Sequence, residues 1–388
     1  MKVKKAYEFR IYPSKADECL IKRTFGCSRF VYNKMLESIK TEKKRPTEVE
    51  LKTLYPFLKE VDSIALQQSR INLQTAFKNF KEKRTGYPQF KSRFSKQSFR
   101  TNCTNKNIKV DFDKSEITLP KFPKPLKFRD QREFLGVIKN VTVKKSSTGK
   151  YFAVILVEEE IETIPTKGTK TIGLDMACSH FLTDSEGNNI TAPKFFRNGQ
   201  EKLKKVQREL SKKEKGSENR EKQRIKVAKV HEKIKNNRKD FLQKLSTQIT
   251  NDWDRIVVES LNMKAMSQSL NLAKSIMDNA WSSFDKMLEY KSLWKGKDFQ
   301  RAEKFFPSSK LCRHCDFKHK DLKLSDLVWT CPNCRRSHDR NINAAINLKN
   351  TLGIREIYAC GDDVRLKPRT CGASLSSMMQ EAPSFRTG

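Results

Sequence analysis

The chain has 388 residues, in which 80 lysines and arginines face 45 acids, giving a formal net charge of +35 with 36% hydrophobic residues. The length allows two or three domains with sizeable cores, at roughly 100 to 200 residues each. Charge so far beyond the needs of solubility argues against a neutral small molecule as the main partner and points to a polyanion, with nucleic acid held through counterion release.

No apolar run of about 18 residues marks a membrane span, and the start MKVKKAYEFRIYP lacks the apolar core of a secretory signal. The reading is a cytoplasmic protein with no membrane partner, whose 10 cysteines are metal ligands or core residues in place of disulfides.

Tyr7, Phe9 and Ile11 alternate with Glu8 and Arg10 in a half-buried strand that Pro13 stops. Ser14 and Asp17 then set a capping box ahead of Leu20, Thr24, Cys27, Val31 and Met35, spaced as one helical face. Leu66, Leu73, Phe77 and Phe80 predict a helix from about Val61 to Phe80. The basic stretch after it interleaves Tyr87, Phe90, Phe94 and Phe99, a composition suited to phosphate contact and base stacking or to a solvated loop anchored by its aromatics.

From about Asn102 to Ile164 the runs NIKVDF, SEITLP, GVIKNVTVKK and KYFAVILVEEE predict strands of a small β-barrel or sheet. Between Gln200 and Asp240, Leu203, Val206 and Leu210, then Val227, Val230 and Ile234, form an apolar seam in two basic helices broken at Gly216. After about Gly353 the chain has few large apolar residues and reads as a disordered tail.

Cys312, Cys315, Cys331 and Cys334 have the spacing C-x2-C-x15-C-x2-C, which lets two knuckles bring four thiolates to one tetrahedral ion. With every position filled by sulfur the ion is structural; Zn²⁺ fits, and iron fits the same spacing. His314 sits inside a knuckle, while His319 and His338 read as surface or nucleic-acid contacts. Cys19, Cys27, Cys103, Cys178, Cys360 and Cys371 have no pairing logic and read as structural.

Three carboxylates stand at element ends. Asp175 closes the buried-strand pattern KTIGLD, Glu259 follows Ile256, Val257 and Val258, and Asp339 opens the helix RNINAAINL. Each has a plain reading: a turn residue, a solvated strand end and an N-cap. Together, in so basic a chain, they suit two Mg²⁺ ions, with Asp175 bridging and Glu259 and Asp339 completing one each, for in-line phosphodiester hydrolysis. The order strand-Asp, hairpin, basic helices, strand-Glu, strand, helix-Asp fits an RNase H-like sheet.

At these residues the chain resembles the TnpB family, the transposon-encoded RNA-guided nucleases also called transposase OrfB and related to type V CRISPR effectors. The resemblance runs through FRIYPS, GCSRFVYNKML, ALQQSRINLQTAFKNF, GYPQFKSR, IGLDMA, VVESLNM, FFPSSKLC, both cysteine pairs, HDRNINAAINL and ACGDDVR. It implies an α+β multidomain protein: a RuvC-like nuclease core at 167–308 and 338–353, a zinc-ribbon insert for target nucleic acid at 309–337, a β-barrel wedge domain at 1–12 and 101–166 carrying a helical recognition insert at 13–100, and a tail at 354–388. It further implies that Asp175, Glu259 and Asp339 are catalytic and hold magnesium, and that Gln67, Thr104 and Asn105 read a short motif in DNA. Many relatives read DRDxNAA where this chain has Asn341 in place of the second acid.

The expected function is cleavage of double-stranded DNA beside a short motif, directed by a transposon-derived guide RNA, with two Mg²⁺ and one structural Zn²⁺ and no small-molecule substrate. Two other readings stay open: a guide-dependent repressor without cleavage, and a zinc-ribbon nucleic-acid-binding protein whose acids are structural.

Overall fold

The computed structural model describes residues 1–41, 45–129, 132–162, 170–177, 180–262, 266, 273–323 and 325–359. Two compact units divide the chain: 1–165 with 194–245 and 294–296, and 166–193 with 246–293 and 297–388.

The first unit opens with strand β1 (Lys2–Tyr12) and helix α1 (Lys15–Thr41). The capping box predicted from Ser14 and Asp17 forms: the Ser14 amide donates to Asp17 Oδ2 at 3.1 Å and the Asp17 amide to Ser14 Oγ at 3.2 Å. Helix α2 (Glu48–Leu54), a short 3₁₀ turn (Pro56–Glu60) and helix α3 (Ser63–Lys81) follow. Val31, Met35, Leu36, Leu58, Leu66 and Leu73 close a small helical core, because α1 and α3 each place apolar residues three and four apart on one face.

Seven antiparallel strands make the sheet of this unit: β1, β2 (Ser98–Asn102), β3 (Lys109–Asp111), β4 (Glu116–Thr118), β5 (Leu126–Arg129), β6 (Val137–Lys145) and β7 (Tyr151–Glu160), in the order β2-β6-β7-β1-β5-β4-β3. No hydrogen-bonded pairing joins β2 to β3 among the described residues, so the ladder is open. Phe99 of β2 and Ile117 of β4 nevertheless share one core with Phe9, Ile11, Val143 and Ile155, which the coiled sheet encloses. Period-two burial of Tyr151, Ala153, Ile155, Val157 and Glu159 makes β7 a central strand.

Helices α4 (Phe195–Ser211) and α5 (Glu218–Asp252) form the hairpin expected around Gly216, whose φ of +92° supplies the left-handed turn. Leu203, Val230 and Ile234 make its buried seam. The compact division differs from the boundary read at 167–308, since 194–245 belongs to the first unit. The physical tie is Glu232 of α5, which takes Lys150 Nζ at 2.8 Å and the Thr148 hydroxyl at 3.1 Å.

The second unit is built on five strands: β8 (Thr171–Asp175), β9 (Leu182–Asp184), β10 (Asn189–Ile190), β11 (Arg255–Val258) and β12 (Asp298–Arg301), ordered β10-β9-β8-β11-β12. β8, β11 and β12 are parallel, and β9 and β10 run antiparallel. Helices α6 (Ala273–Asn279) and α7 (Trp281–Trp294) precede β12; the hairpin β13 (Val328–Thr330) and β14 (Ser337–Asp339) leads into helix α8 (Arg340–Ala359). α8 extends past Gly353, where the tail was expected to begin; 360–388, with Cys360 and Cys371, and also Cys178, lie outside the described residues. No helix among the described residues is long and apolar enough to cross a membrane.

Candidate functional site

The register of two parallel strands sets the first two carboxylates side by side. Val257 pairs with Gly173 and Val258 with Leu174, so the next residues out of the sheet are Asp175 and Glu259. The apolar runs that precede them are buried, which fixes the strands and delivers both acids to the same sheet edge.

The third acid arrives on a helix. Asp339 Oδ1 accepts the amides of Asn341 and Ile342, both at 2.9 Å, so Asp339 is the N-cap of α8. Both cap bonds land on Oδ1. α8 packs on β8 at Gly173, where an added Cβ would come within 2.0 Å of the Ala345 carbonyl oxygen. Glycine at 173 is therefore what lets the helix, and Asp339 at its start, approach the strand that carries Asp175.

Asp175 and Asp184 show what kind of acid each is. They lie on adjacent antiparallel strands, each 8% exposed. The carboxylate of Asp184 is consumed by its own turn: Oδ1 takes the amides of Glu186 and Asn188 and Oδ2 the Asn188 side chain. The Asp175 carboxylate accepts no hydrogen bond among the described residues. Burial pushes its pKa up to about 8, with Glu259 and then Asp339 adding to the rise and the Arg340 guanidinium opposing it. Glu259 is likewise raised by burial and eased by Arg340.

Two further acids, Glu259 and Asp339, thus act on one buried carboxyl that the chain leaves short of positive charge. That donor set suits a hard divalent cation. Among the described residues, however, the four cysteines are the group of three or more candidate ligands whose atoms all fall within 4.8 Å of one another; the acids stand further apart.

The cysteine knuckles close as their spacing predicts. Cys312 Sγ lies 3.6 Å from Cys334 Sγ, and Cys315 Sγ 3.6 Å from Cys331 Sγ. Tetrahedral sulfur about 2.3 Å from zinc would be about 3.8 Å apart, close to the distances seen, so the quartet fits Zn²⁺. Burial pushes the Cys312 thiol up to about 12, whereas the Asn333 side chain holds Cys315 down to about 6; a cation is what would keep all four as thiolates. Asn343 and Asn347 of α8 each donate to the Leu311 carbonyl at 2.7 Å, and Asn343 Oδ1 accepts the Arg313 amide at 3.1 Å, which ties the first knuckle to the helix that begins beside Asp339.

The histidines divide. His314 is exposed and its Nδ1 lies 2.6 Å from Arg336 Nη1. His319 is half-buried, its ring edge-on to Trp329. His338 was expected at the surface and is instead 2% exposed, because the β13–β14 pairing sets it directly opposite Trp329.

In the first unit, Gln67 is exposed on α3, and Thr104 and Asn105 are exposed in the turn after β2. Asn105 has φ of +51°, and the Thr104 amide donates to Asn107 Oδ1 at 2.9 Å. α3 is tied to β2 by the Thr101 hydroxyl, which donates to Asp62, the N-cap of that helix. Cys19 is exposed, Cys27 buried and Cys103 half-buried, each unpaired.

Among known proteins, the OrfB_IS605 family model, described as "Probable transposase", matches residues 154–270, and a Cas12f1-like TNB domain matches 281–348. A helix-turn-helix model of the OrfB_IS605 group matches 1–45, although residues 2–41 fold as the strand β1 and the single helix α1. A Streptomyces pristinaespiralis protein provisionally named RNA-guided DNA endonuclease is 37% identical over 100% of this chain and 98% of its own. InsQ of Escherichia coli K12, under the same provisional name, is 32% identical over 94% of this chain and 96% of its own. The solved Cas12f1 in a complex with sgRNA and target DNA has a similar fold, with a TM-score of 0.55 at 13% identity, covering 90% of this chain and 99% of that one.

Proposed function

The chain belongs to the TnpB family of transposon-encoded RNA-guided DNA endonucleases, and from that premise we propose that it cuts double-stranded DNA at the edge of the β8–β11 sheet, beside a short motif. Its partners are RNA and DNA, and the guide is proposed to derive from the transposon itself. The +35 charge is the electrostatic counterpart of those two polyanions.

The observation that carries the reading is the placement of Asp175: buried, without a hydrogen bond to its carboxylate among the described residues, and facing Glu259 and Asp339. Asp175, Glu259 and Asp339 would hold Mg²⁺, which when bound makes a hydroxide nucleophile available and stabilises the leaving oxygen of the phosphodiester. Asp175 contributes the charge that β8 withholds from solvent. Asp339 contributes what its cap leaves over, since Oδ1 serves the α8 amides. Arg340 offsets the clustered negative charge and so favours the ionised acids that a cation needs. Asn341, which replaces an acid common in relatives, gives its backbone amide to Asp339, a contact that does not use its side chain.

The cysteine quartet would hold one Zn²⁺ as a structural ion. Gln67, Thr104 and Asn105 are proposed to read the motif that flanks the target, base pairing with the guide supplying the remaining sequence choice. Changing Gln67→Ala should relax that preference by about 1 to 3 kcal/mol at one base pair, measured by cleavage of a randomised flank.

The deciding experiment incubates the chain, with the RNA that copurifies with it, and DNA matched to that RNA. Cleavage that appears with Mg²⁺, vanishes with a chelator and is absent in Asp175→Ala is the expected result. Binding without cleavage by the unsubstituted chain would favour the repressor, and activity indifferent to Asp175→Ala would leave the acids structural.

A further inference from the structure

Among the described residues, the ring of His338 makes one polar contact, and that contact is to a knuckle cysteine. Its Nε2 lies 3.2 Å from Cys312 Sγ, while Nδ1 is buried and meets no partner among the described residues. The ring is held between aromatic neighbours, 4.8 Å from Trp329 and 5.6 Å from His314. Burying an imidazole against one weak sulfur contact is costly unless the sulfur is charged. When four cysteines share a cation, Cys312 is a thiolate with no proton to give, so Nε2 must be the donor and the bond becomes charge-assisted.

The position of His338 gives this bond a second consequence. The next residue on β14 is Asp339, which pairs with Val328 across the hairpin, and the Arg340 amide donates to the Leu327 carbonyl at 2.8 Å. The strand is therefore fixed both by its ladder and by the imidazole against Cys312.

We propose that His338 is a positioning residue, whose Nε2–H donates to the Cys312 thiolate of the zinc-filled knuckle and thereby holds Asp339 in place for cleavage. The coupling to cleavage rests on the reading of Asp339 given above; the hydrogen bond to the thiolate does not. Outer-sphere donors of this kind orient ligands and spread their charge, and their loss costs about 10- to 100-fold in metal retention or activity.

The test uses the full chain with its copurified RNA and compares His338→Phe, which keeps an aromatic ring on Trp329 but no donor, with His338→Gln, which restores a side-chain N–H. Three quantities are read: the rate of zinc release to a chelating dye, the sulfur-to-metal charge-transfer band of the Co²⁺-substituted protein, and kcat and KM for DNA cleavage. In His338→Phe zinc should leave about ten-fold faster, the band should shift, and kcat should fall about ten-fold with KM unchanged, and His338→Gln should recover much of each. A His338→Phe chain that retains zinc and cuts like the parent overturns the proposal, as does His338→Gln behaving like His338→Phe. Faster zinc release with kcat unchanged overturns the coupling to Asp339. Should Asp339→Asn cut normally, the reading of the acids fails, while zinc release still judges the hydrogen bond.

Discussion

The second unit presents two clusters suited to cations, and they are made in opposite ways. The cysteine quartet comes from two short turns; its sulfurs already lie within 4.8 Å of one another, and its hairpin has Trp329 and Leu322 as a small core of its own. The carboxylates come from two parallel strands and a helix end, and they bring a buried acid whose ordinary charge the chain does not balance. Locally made sites gain folding energy from their ion, whereas sites assembled by the whole sheet store electrostatic cost in the fold and release it on binding.

That contrast can be broken most severely at Asp175. Asp175→Ala should lower the cleavage rate by about 10⁴-fold or more, as loss of a member of a cooperating catalytic set does, while zinc content by metal analysis stays at the parental value. Loss of zinc along with activity would mean the two clusters are not separable.

The reverse cut is Cys331→Ser. A structural zinc in a small knuckle is worth about 10 to 16 kcal/mol of apparent binding energy at neutral pH, so the hairpin should open, with protease cleavage around 309–337 as the readout. Cleavage of DNA should fall too, because Asn343 and Asn347 join the knuckle to α8.

Gly173→Ala probes the assembly of the carboxylates from the side of the sheet. A methyl group aimed at the Ala345 carbonyl must push α8 from β8, at a cost of about 1 to 3 kcal/mol or somewhat more. Cleavage should weaken and Tm drop by several degrees, with zinc retained.

The mildest effect is in pH. Because burial raises Asp175 to about 8 in the folded chain, folding favours its protonated form: the associated stability is complete below the unfolded value near 4 and is lost as pH climbs through about 8. Without divalent ions, Tm should therefore decline from pH 5 to 8.5, and Asp175→Asn should flatten the decline. Added Mg²⁺ should raise Tm more at the alkaline end, since binding displaces the proton.

How far each cluster was legible follows from the same difference. The cysteine spacing, the Ser14–Asp17 cap and the turn at Gly216 are short-range, and all appear where the sequence put them. The strand ends at Asp175 and Glu259 could be read from apolar runs, but their adjacency needed the parallel register of β8 and β11. Asp339 carried two readings, and the cap is one of them. The close approach at Gly173 and the action of Arg340 on Asp175 were not visible, because each depends on a partner distant in sequence, Ala345 and Asp175; the burial of His338 depends on Trp329 close by, in a hairpin whose strands are too short to read from alternation. The packing of 194–245 with the N-terminal unit escaped for the same reason, since Lys150 and Glu232 are far apart along the chain.

One oxygen of Asp339 is spoken for by the amides of Asn341 and Ile342. A variant meant to remove the proposed metal-holding charge while keeping the scaffold therefore calls for asparagine at this position over alanine: an amide oxygen can still stopper the helix, conserving about 1 kcal/mol that alanine forfeits, and only the charge disappears.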